Sequence, residues 1–180
     1  WGQASYTYTP NGELSTKTVS GQQTTYTYDV LGNLTAVELP DGRSVEYLVD
    51  PVGRRVGKRV DGVLVKGWLY ADGLNPIAEL GADGQVASLF VYATQHNVPD
   101  LIVRGNQRLR ILTDHVGSPV LVVDAADGSV VQRVEYDVFG RILSDTAPGT
   151  TPFGFAGGLV DQDTGLVRFG MDASGDSALA

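Results

Sequence analysis

A five-residue turn signature recurs along the 180-residue chain and restricts its fold more than any other feature. It reads YTPNG ending at Gly12, YDVLG at Gly32, VDPVG at Gly53, TDHVG at Gly117 and YDVFG at Gly140. Gly12 and Gly32 stand 20 residues apart, and Tyr6-Thr7-Tyr8 falls on Tyr26-Thr27-Tyr28 at the same shift. A fixed period near twenty marks an array of similar units. Between these glycines lie further turn signals: Ser20-Gly21, Asp-Gly at 41–42, 61–62, 72–73, 83–84 and 127–128, and Thr164-Gly165. Glycine accepts positive φ without a Cβ clash, so Asn-Gly and Asp-Gly favour tight hairpins between strand-length runs.

Alternation agrees with strands. Gln132, Val134 and Tyr136 share one face of their run with Val130, and Val131, Arg133 and Glu135 share the other. No window holds a sustained 3.6-residue apolar pattern, and Thr, Val and Tyr are plentiful, so almost no helix is expected. A lone hairpin buries too little to offset its backbone entropy, and each is expected to share strands with the next. The expected fold is all-β: an array of antiparallel hairpins in one continuing sheet. Hairpin repeats are expected over residues 1–84, and irregular strands and loops over 85–111, where QHNVPD and RGNQRLR break the period. A distinct block follows over 112–170, and a divergent tail, with Asp172 and Asp176, over 171–180.

Composition narrows the function. The net charge of -8 argues against nucleic acid, whose binding needs clustered Lys and Arg. The densest basic cluster, Arg54, Arg55, Lys58 and Arg59, has acidic neighbours. Apolar runs fall far short of the roughly 18 residues of a membrane helix, so no membrane span is expected. With no cysteine there is neither a disulfide framework nor a thiolate metal site. The chain starts at Trp1 inside a strand-like run, without the charged and apolar regions of a signal peptide, which suggests a segment of something larger.

Candidate chemistry yields to turn structure at most positions. Asp163-Thr164-Gly165 spells the DTG of aspartic proteases, yet Asp161-Gln162 rather than an apolar strand precedes it, and a hairpin turn at Gly165 fits better. Asp161-x-Asp163-x-Gly165 lacks the remaining ligands of a calcium loop. His96 and His115 have no GxSxG elbow to serve, and His115 is expected to order its turn by hydrogen bonding. Asn33-Leu34-Thr35 is a glycosylation sequon that matters only in a eukaryotic secretory setting. Tyr6, Tyr8, Tyr26 and Tyr28, with Tyr47, form aromatic rows that pack a sheet face or, if exposed, bind glycans. No catalytic, cofactor or metal residue is expected. The structural set comprises Gly12, Gly32, Gly53, Asp114, His115, Gly117, Asp137, Gly140 and Gly165.

The YD-x-x-G repeat, the DHVGSP motif at 114–119 and the PFGFAGG block from Pro152 together resemble the RHS or YD-repeat family, specifically its RHS-repeat-associated core. The resemblance spans residues 6–170. It implies a long β-sheet spiralling into a hollow shell, as in bacterial polymorphic toxins, toxin-complex proteins and animal teneurins. In the toxins the shell holds a C-terminal effector. The implied role is a non-catalytic scaffold of a secreted or cell-surface bacterial protein. Its partners would be further repeats or an effector polypeptide, with self-association through open sheet edges. The alternatives are a glycan-binding or adhesion module and an aspartyl autoprotease. The autoprotease of some members needs paired DPxG motifs, whereas here Asp50-Pro51-Val52-Gly53 stands alone within a repeat, and MDASGDSALA replaces the family's usual continuation.

Overall fold

The structure is a computed structural model in which residues 4–169 are described. Fourteen strands pair in sequence order, antiparallel throughout from the first to the seventh and from the eighth to the fourteenth. They are β1 (Ala4–Tyr8), β2 (Leu14–Val19), β3 (Gln22–Tyr28), β4 (Leu34–Glu38), β5 (Ser44–Val49), β6 (Arg55–Val60), β7 (Val63–Tyr70), β8 (Pro76–Gly81), β9 (Val86–Val91), β10 (Leu101–Arg104), β11 (Gln107–Thr113), β12 (Pro119–Asp124), β13 (Val130–Tyr136) and β14 (Ile142–Asp145). A small ribbon of β15 (Leu159–Val160) and β16 (Val167–Arg168) follows a 3₁₀ turn at Phe155–Gly157, the one helical element among the described residues. The all-β hairpin array read from the turn signals is the fold the chain adopts. Two compact units are distinguished, one ending at Gly67 and the other beginning at Trp68.

In the first unit the pleat separates two kinds of row. Tyr26 faces Val37, Val37 faces Val45 and Val45 faces Val60 across successive strands, and Val37 and Val45 are fully buried. On the opposite parity Thr7, Thr16, Thr25, Glu38 and Ser44 form a polar row. It is tied by a 2.7 Å contact between the Thr7 and Thr16 hydroxyls and by Ser44 Oγ donating to Glu38 Oε1 at 2.7 Å. Period-two alternation thus becomes one apolar and one polar face.

Connections of two kinds recur along the array. Ser20-Gly21 and Asp61-Gly62 have positive φ at both residues, 51° and 80° and then 50° and 78°, as a two-residue type I′ hairpin requires. The YD-x-x-G turns are one residue longer. In YDVLG, the Asp29 N–H donates to Asn33 O at 2.9 Å and the Gly32 N–H to Asp29 O at 3.1 Å. Thr9, Asp50, Asp114 and Asp137 begin turns with the same two bonds. This is a type I turn closed by a left-handed residue, which is glycine each time: φ is 99° at Gly12, 81° at Gly32 and Gly53, 93° at Gly117 and 84° at Gly140.

The aspartate of the motif holds the turn from inside. Asp29 Oδ1 accepts the N–H groups of Leu31 and Asn33, both at 2.9 Å. Asp50 does so for Val52 and Arg54, Asp114 for Val116 and Ser118, and Asp137 for Phe139 and Arg141, all within 3.1 Å. The second oxygen takes the side chain four residues on: Asn33 Nδ2 at 2.9 Å, Arg54 Nε at 2.7 Å and Arg141 Nε at 3.1 Å. The tyrosine before the aspartate sits at the bulge, Tyr28 facing Leu34 and Tyr136 facing Ile142. Burial pushes both phenols up to about 12.

Three details refine the reading of the sequence. Gly73 stays out of the left-handed region, because Asp72 holds its turn by accepting the Leu74 and Asn75 N–H groups at 2.8 and 2.7 Å. Residues 85–111 continue the antiparallel order through β9, β10 and the start of β11, with Gly105-Asn106 as a two-residue turn. The irregularity there is confined to the 92–100 connection, where Asp100 Oδ2 accepts the N–H groups of Ala93 and Thr94. The DHVGSP turn is ordered by Asp114, while His115 is exposed at its tip. The 171–180 tail, with Asp172 and Asp176, lies outside the described residues.

Burial disfavours ionisation of Asp29, Asp50 and Asp114, but the converging hydrogen bonds outweigh it and hold their carboxyls below the usual range. At Asp137 the Arg141 N–H is the largest lowering influence. A carboxyl with a depressed folded pKa contributes stability above its unfolded value near 3.9, and that contribution is lost as pH falls through the folded value. Denaturant unfolding is therefore expected to show stability falling steeply below about pH 4. Asp114→Ala should cost roughly 1–3 kcal/mol at neutral pH and flatten that acid limb. Stability that is flat down to about pH 2 would contradict the turn chemistry.

Candidate functional site

After β14 the second unit does something the hairpins do not: the chain leaves the sheet and crosses the face of β9 to β12. Phe153 and Leu159 from this strap join Phe90, Val98, Ile102, Leu109, Ile111 and Val122 in one buried cluster. The Phe153 ring meets Phe90 edge-on, with centroids 5.0 Å apart at 81°. That geometry suits the aromatic quadrupoles.

Polar anchors fix the strap at each end. Gln132 Nε2 donates to Asp145 Oδ1 at 2.9 Å where the strap begins. Arg104 reaches from β10, its Nε donating to the buried Ser88 Oγ and its Nη2 to the Thr150 carbonyl, each at 3.0 Å. Further on, the Ala156 N–H donates to Ser118 Oγ at 3.0 Å, and Ser118 is fully buried. Asn97 Nδ2 donates to Ala156 O at 3.0 Å and to Val116 O at 3.3 Å. Asn97 thereby joins the 92–100 connection, the DHVGSP turn and the strap.

Glycines in this unit serve as contact surfaces as well as turn closers. A Cβ on Gly140 would lie 2.5 Å from the Phe155 ring, and one on Gly117 would lie 2.4 Å from Asn97 Nδ2. On Gly157 it would meet the Asn97 carbonyl oxygen at 2.6 Å. Gly12, which has nothing within 4 Å, needs only its positive φ. The DHVGSP, YDVFG and PFGFAGG motifs are three sides of one interlock.

The remaining sequence candidates are dispersed. Gly165, at φ 71°, closes the turn between β15 and β16, and Asp161 Oδ1 accepts the N–H groups of Asp163 and Thr164 there. The aromatic set splits: Tyr26 and Tyr47 are buried and Tyr28 is half-buried, so only Tyr6 and Tyr8, 49% and 63% exposed, present rings to solvent. The basic cluster also divides. Arg54 pairs with Asp50 at 2.7 Å, Arg55 lies 3.4 Å over the Tyr47 ring, Lys58 is buried, and Arg59 Nη1 is 3.6 Å from Glu46. Both histidines are exposed. Among the described residues no His, Asp and Glu cluster could hold a metal ion, and no helix is long and apolar enough to cross a membrane. Sequence reasoning missed Asn97, Arg104, Ser88 and Gln132. The break in period at QHNVPD was the only sign of the first.

The sequence matches the Teneurin YD-shell family over residues 1–176. The chain belongs to this family. It is 31% identical to Teneurin-1 of Gallus gallus over 135 residues, which are 72% of this chain and 5% of that protein. It is 27% identical to the tRNA3(Ser)-specific nuclease WapA of Bacillus spizizenii over 167 residues, 90% of this chain and 7% of that protein. This YD-shell segment thus spans a small fraction of the length of those relatives. Among solved structures, the Photorhabdus luminescens Tc holotoxin pore is similar at a TM-score of 0.34 and 13% identity, over 94% of this chain and 15% of that one. That superposition is too loose to support an inference.

The interlock makes a graded prediction for YD-shell glycines. Gly12→Ala should cost about 1 kcal/mol, the penalty of a left-handed alanine. Gly140→Ala adds displacement of the Phe155 ring and should cost a further 1–3 kcal/mol or so. Equal losses in chemical denaturation would show that the strap does not bear on the turn.

Proposed function

We infer that the chain is a non-catalytic scaffold segment of a larger secreted or cell-surface bacterial protein of the RHS type, extending a shell and presenting one face to an enclosed effector polypeptide. The family match across the whole described hairpin array carries this reading. The turn chemistry supports it. Asp29, Asp50, Asp114 and Asp137 spend their carboxylates on their own turns, which leaves apolar side chains at the tips: Val30 is fully exposed, as are most of Leu31, Val138 and Phe139. Such tips suit contact with more polypeptide rather than a charged ligand. Residues 1–84, 85–111 and 112–170 then act as repeat array, transition and core block. The turn glycines from Gly12 to Gly165, with Asp114 and Asp137, shape the shell, and the role needs no cofactor. The test is protease protection in the longer parent protein. A polypeptide downstream of this segment should resist digestion that degrades it when free, and Arg104→Ala, which releases Thr150, should reduce that resistance. Equal digestion in both settings would overturn the reading.

A second reading, glycan binding, is favoured by one observation: Tyr6 and Tyr8 are exposed side by side on one face. Glycan-array binding that disappears in Tyr8→Ala would support it, and no binding would dismiss it.

A further inference from the structure

Two turns of the first unit are built alike but held differently. Thr9-Pro10-Asn11-Gly12-Glu13 and Leu39-Pro40-Asp41-Gly42-Arg43 close with the same pair of backbone bonds and place a left-handed glycine fourth, with φ 99° at Gly12 and 87° at Gly42. In the second turn the Asp41 carboxylate is fastened: Oδ1 accepts the Arg43 N–H at 3.1 Å and Oδ2 takes Arg43 Nε at 2.8 Å. In the first, Thr9 Oγ1 donates to Glu13 Oε2 and accepts the Glu13 N–H at 3.2 Å. Among the described residues nothing bonds the Asn11 carboxamide, and the Asn11 N–H lacks the side-chain acceptor that Asp29 gives Leu31.

Asn11 and Gly12 are both exposed, and a Cβ on Gly12 would have nothing within 4 Å. The exposure belongs to the turn and not to its place in the array, since Val30, Leu31 and Val52 at the tips of inner turns are 100%, 73% and 57% exposed. Every bond that shapes the turn lies within residues 9–13, so the site does not depend on what adjoins β1. The chain has five asparagines, and Asn11 alone is followed by glycine. Asn33 spends its Nδ2 on Asp29, and Asn97 spends its own on two backbone carbonyls. Asn75 precedes Pro76, whose nitrogen carries no proton. Asn106 is exposed, but its successor Gln107 has a side chain and begins β11.

We propose that Asn11-Gly12 is a site of spontaneous covalent modification whose only co-reactant is water. The Gly12 nitrogen attacks Asn11 Cγ. The N–Cγ bond forms, the Cγ–Nδ2 bond breaks, and the amide group leaves as ammonia with the proton from Gly12, giving a succinimide. Water then opens the ring at either carbonyl, its hydroxyl going to carbon and its remaining proton to nitrogen, and nothing is oxidised or reduced. The products are aspartate and isoaspartate. Ring closure requires the Gly12 N–H to leave Thr9 O, the 3.0 Å bond that closes the turn, and no side chain holds the Asn11-Gly12 peptide against that movement. Without a Cβ, Gly12 leaves its nitrogen open to approach. The Asp41 turn shows that the aspartyl product fits this geometry. The isoaspartyl product instead inserts a methylene into a turn whose length sets the β1–β2 register. The site is independent of the shell reading, since it concerns the turn whatever the segment encloses.

The test is timed incubation of the 180-residue chain in mildly alkaline buffer, read by intact mass and by peptide mapping that separates aspartyl from isoaspartyl forms. Conversion of the amide to a carboxyl is expected at residue 11, with both isomers present, while Asn33, Asn75, Asn97 and Asn106 stay intact over the same period. Asn11→Gln should abolish the change. Thr9→Asp combined with Glu13→Asn copies the Asp29–Asn33 clasp and should slow conversion at least about threefold, the worth of one added hydrogen bond at the tip. If that pair does not fold, Gly12→Ala, which hinders the attacking nitrogen, should slow it and decides instead. An unchanged mass would overturn the proposal. So would conversion spread evenly over the five asparagines, conversion that persists in Asn11→Gln, or an unslowed clasp variant.

Discussion

The structure depends on one carboxylate accepting two amides across a five-residue turn. In YDVLG, VDPVG, DHVGS and YDVFG the aspartate collects the N–H groups two and four residues ahead, and a left-handed glycine between them lets the chain come back. Those amides would otherwise depend on water in an exposed loop. Once they are satisfied, the turn has a fixed length, and turn length sets the register of the strands that leave it. Register then decides which residues share the buried face, which is why Val37 lines up with Tyr26 across the YDVLG turn. The motif recurs because each hairpin needs its register set independently.

The second unit reuses the same turns for a further purpose. Gly117 and Gly140 close their turns and also admit Asn97 and Phe155 at distances no side chain would allow. Ser118, next to one of those glycines, accepts the Ala156 N–H. A strap fixed this way covers the apolar face of β9 to β12 without adding a strand. This member of the Teneurin YD-shell family thus contains both a hairpin array and a strap closed over a packed cluster.

The hairpin array was legible because its determinants are local. Asp-Gly and Ser-Gly pairs, the alternation in β13 and the spacing of Gly12 and Gly32 all act within a few residues. The strap was legible only as unusual motifs. Asn97 contacts Ala156, Arg104 contacts Thr150 and Ser118 contacts Ala156 across 59, 46 and 38 residues, and no local pattern announces such pairs. The split of the tyrosines was hidden for a related reason. Tyr6 and Tyr26 look alike in sequence, yet Tyr26 is buried between β2 and β4 while Tyr6 on β1 is exposed. His115, expected to order its turn, is displaced from that role by Asp114 because a carboxylate can accept two amides at once and an imidazole cannot.

Hydrogen exchange at the turn amides tests the carboxylate-centred account most directly. Leu31, Val52, Val116 and Phe139 lie in exposed loops, where amides ordinarily exchange fast. The account predicts that their N–H groups are protected to a degree comparable with strand amides, and that each loses protection when its own aspartate alone is replaced by alanine. Exchange at unprotected loop rates in the unaltered chain would contradict it.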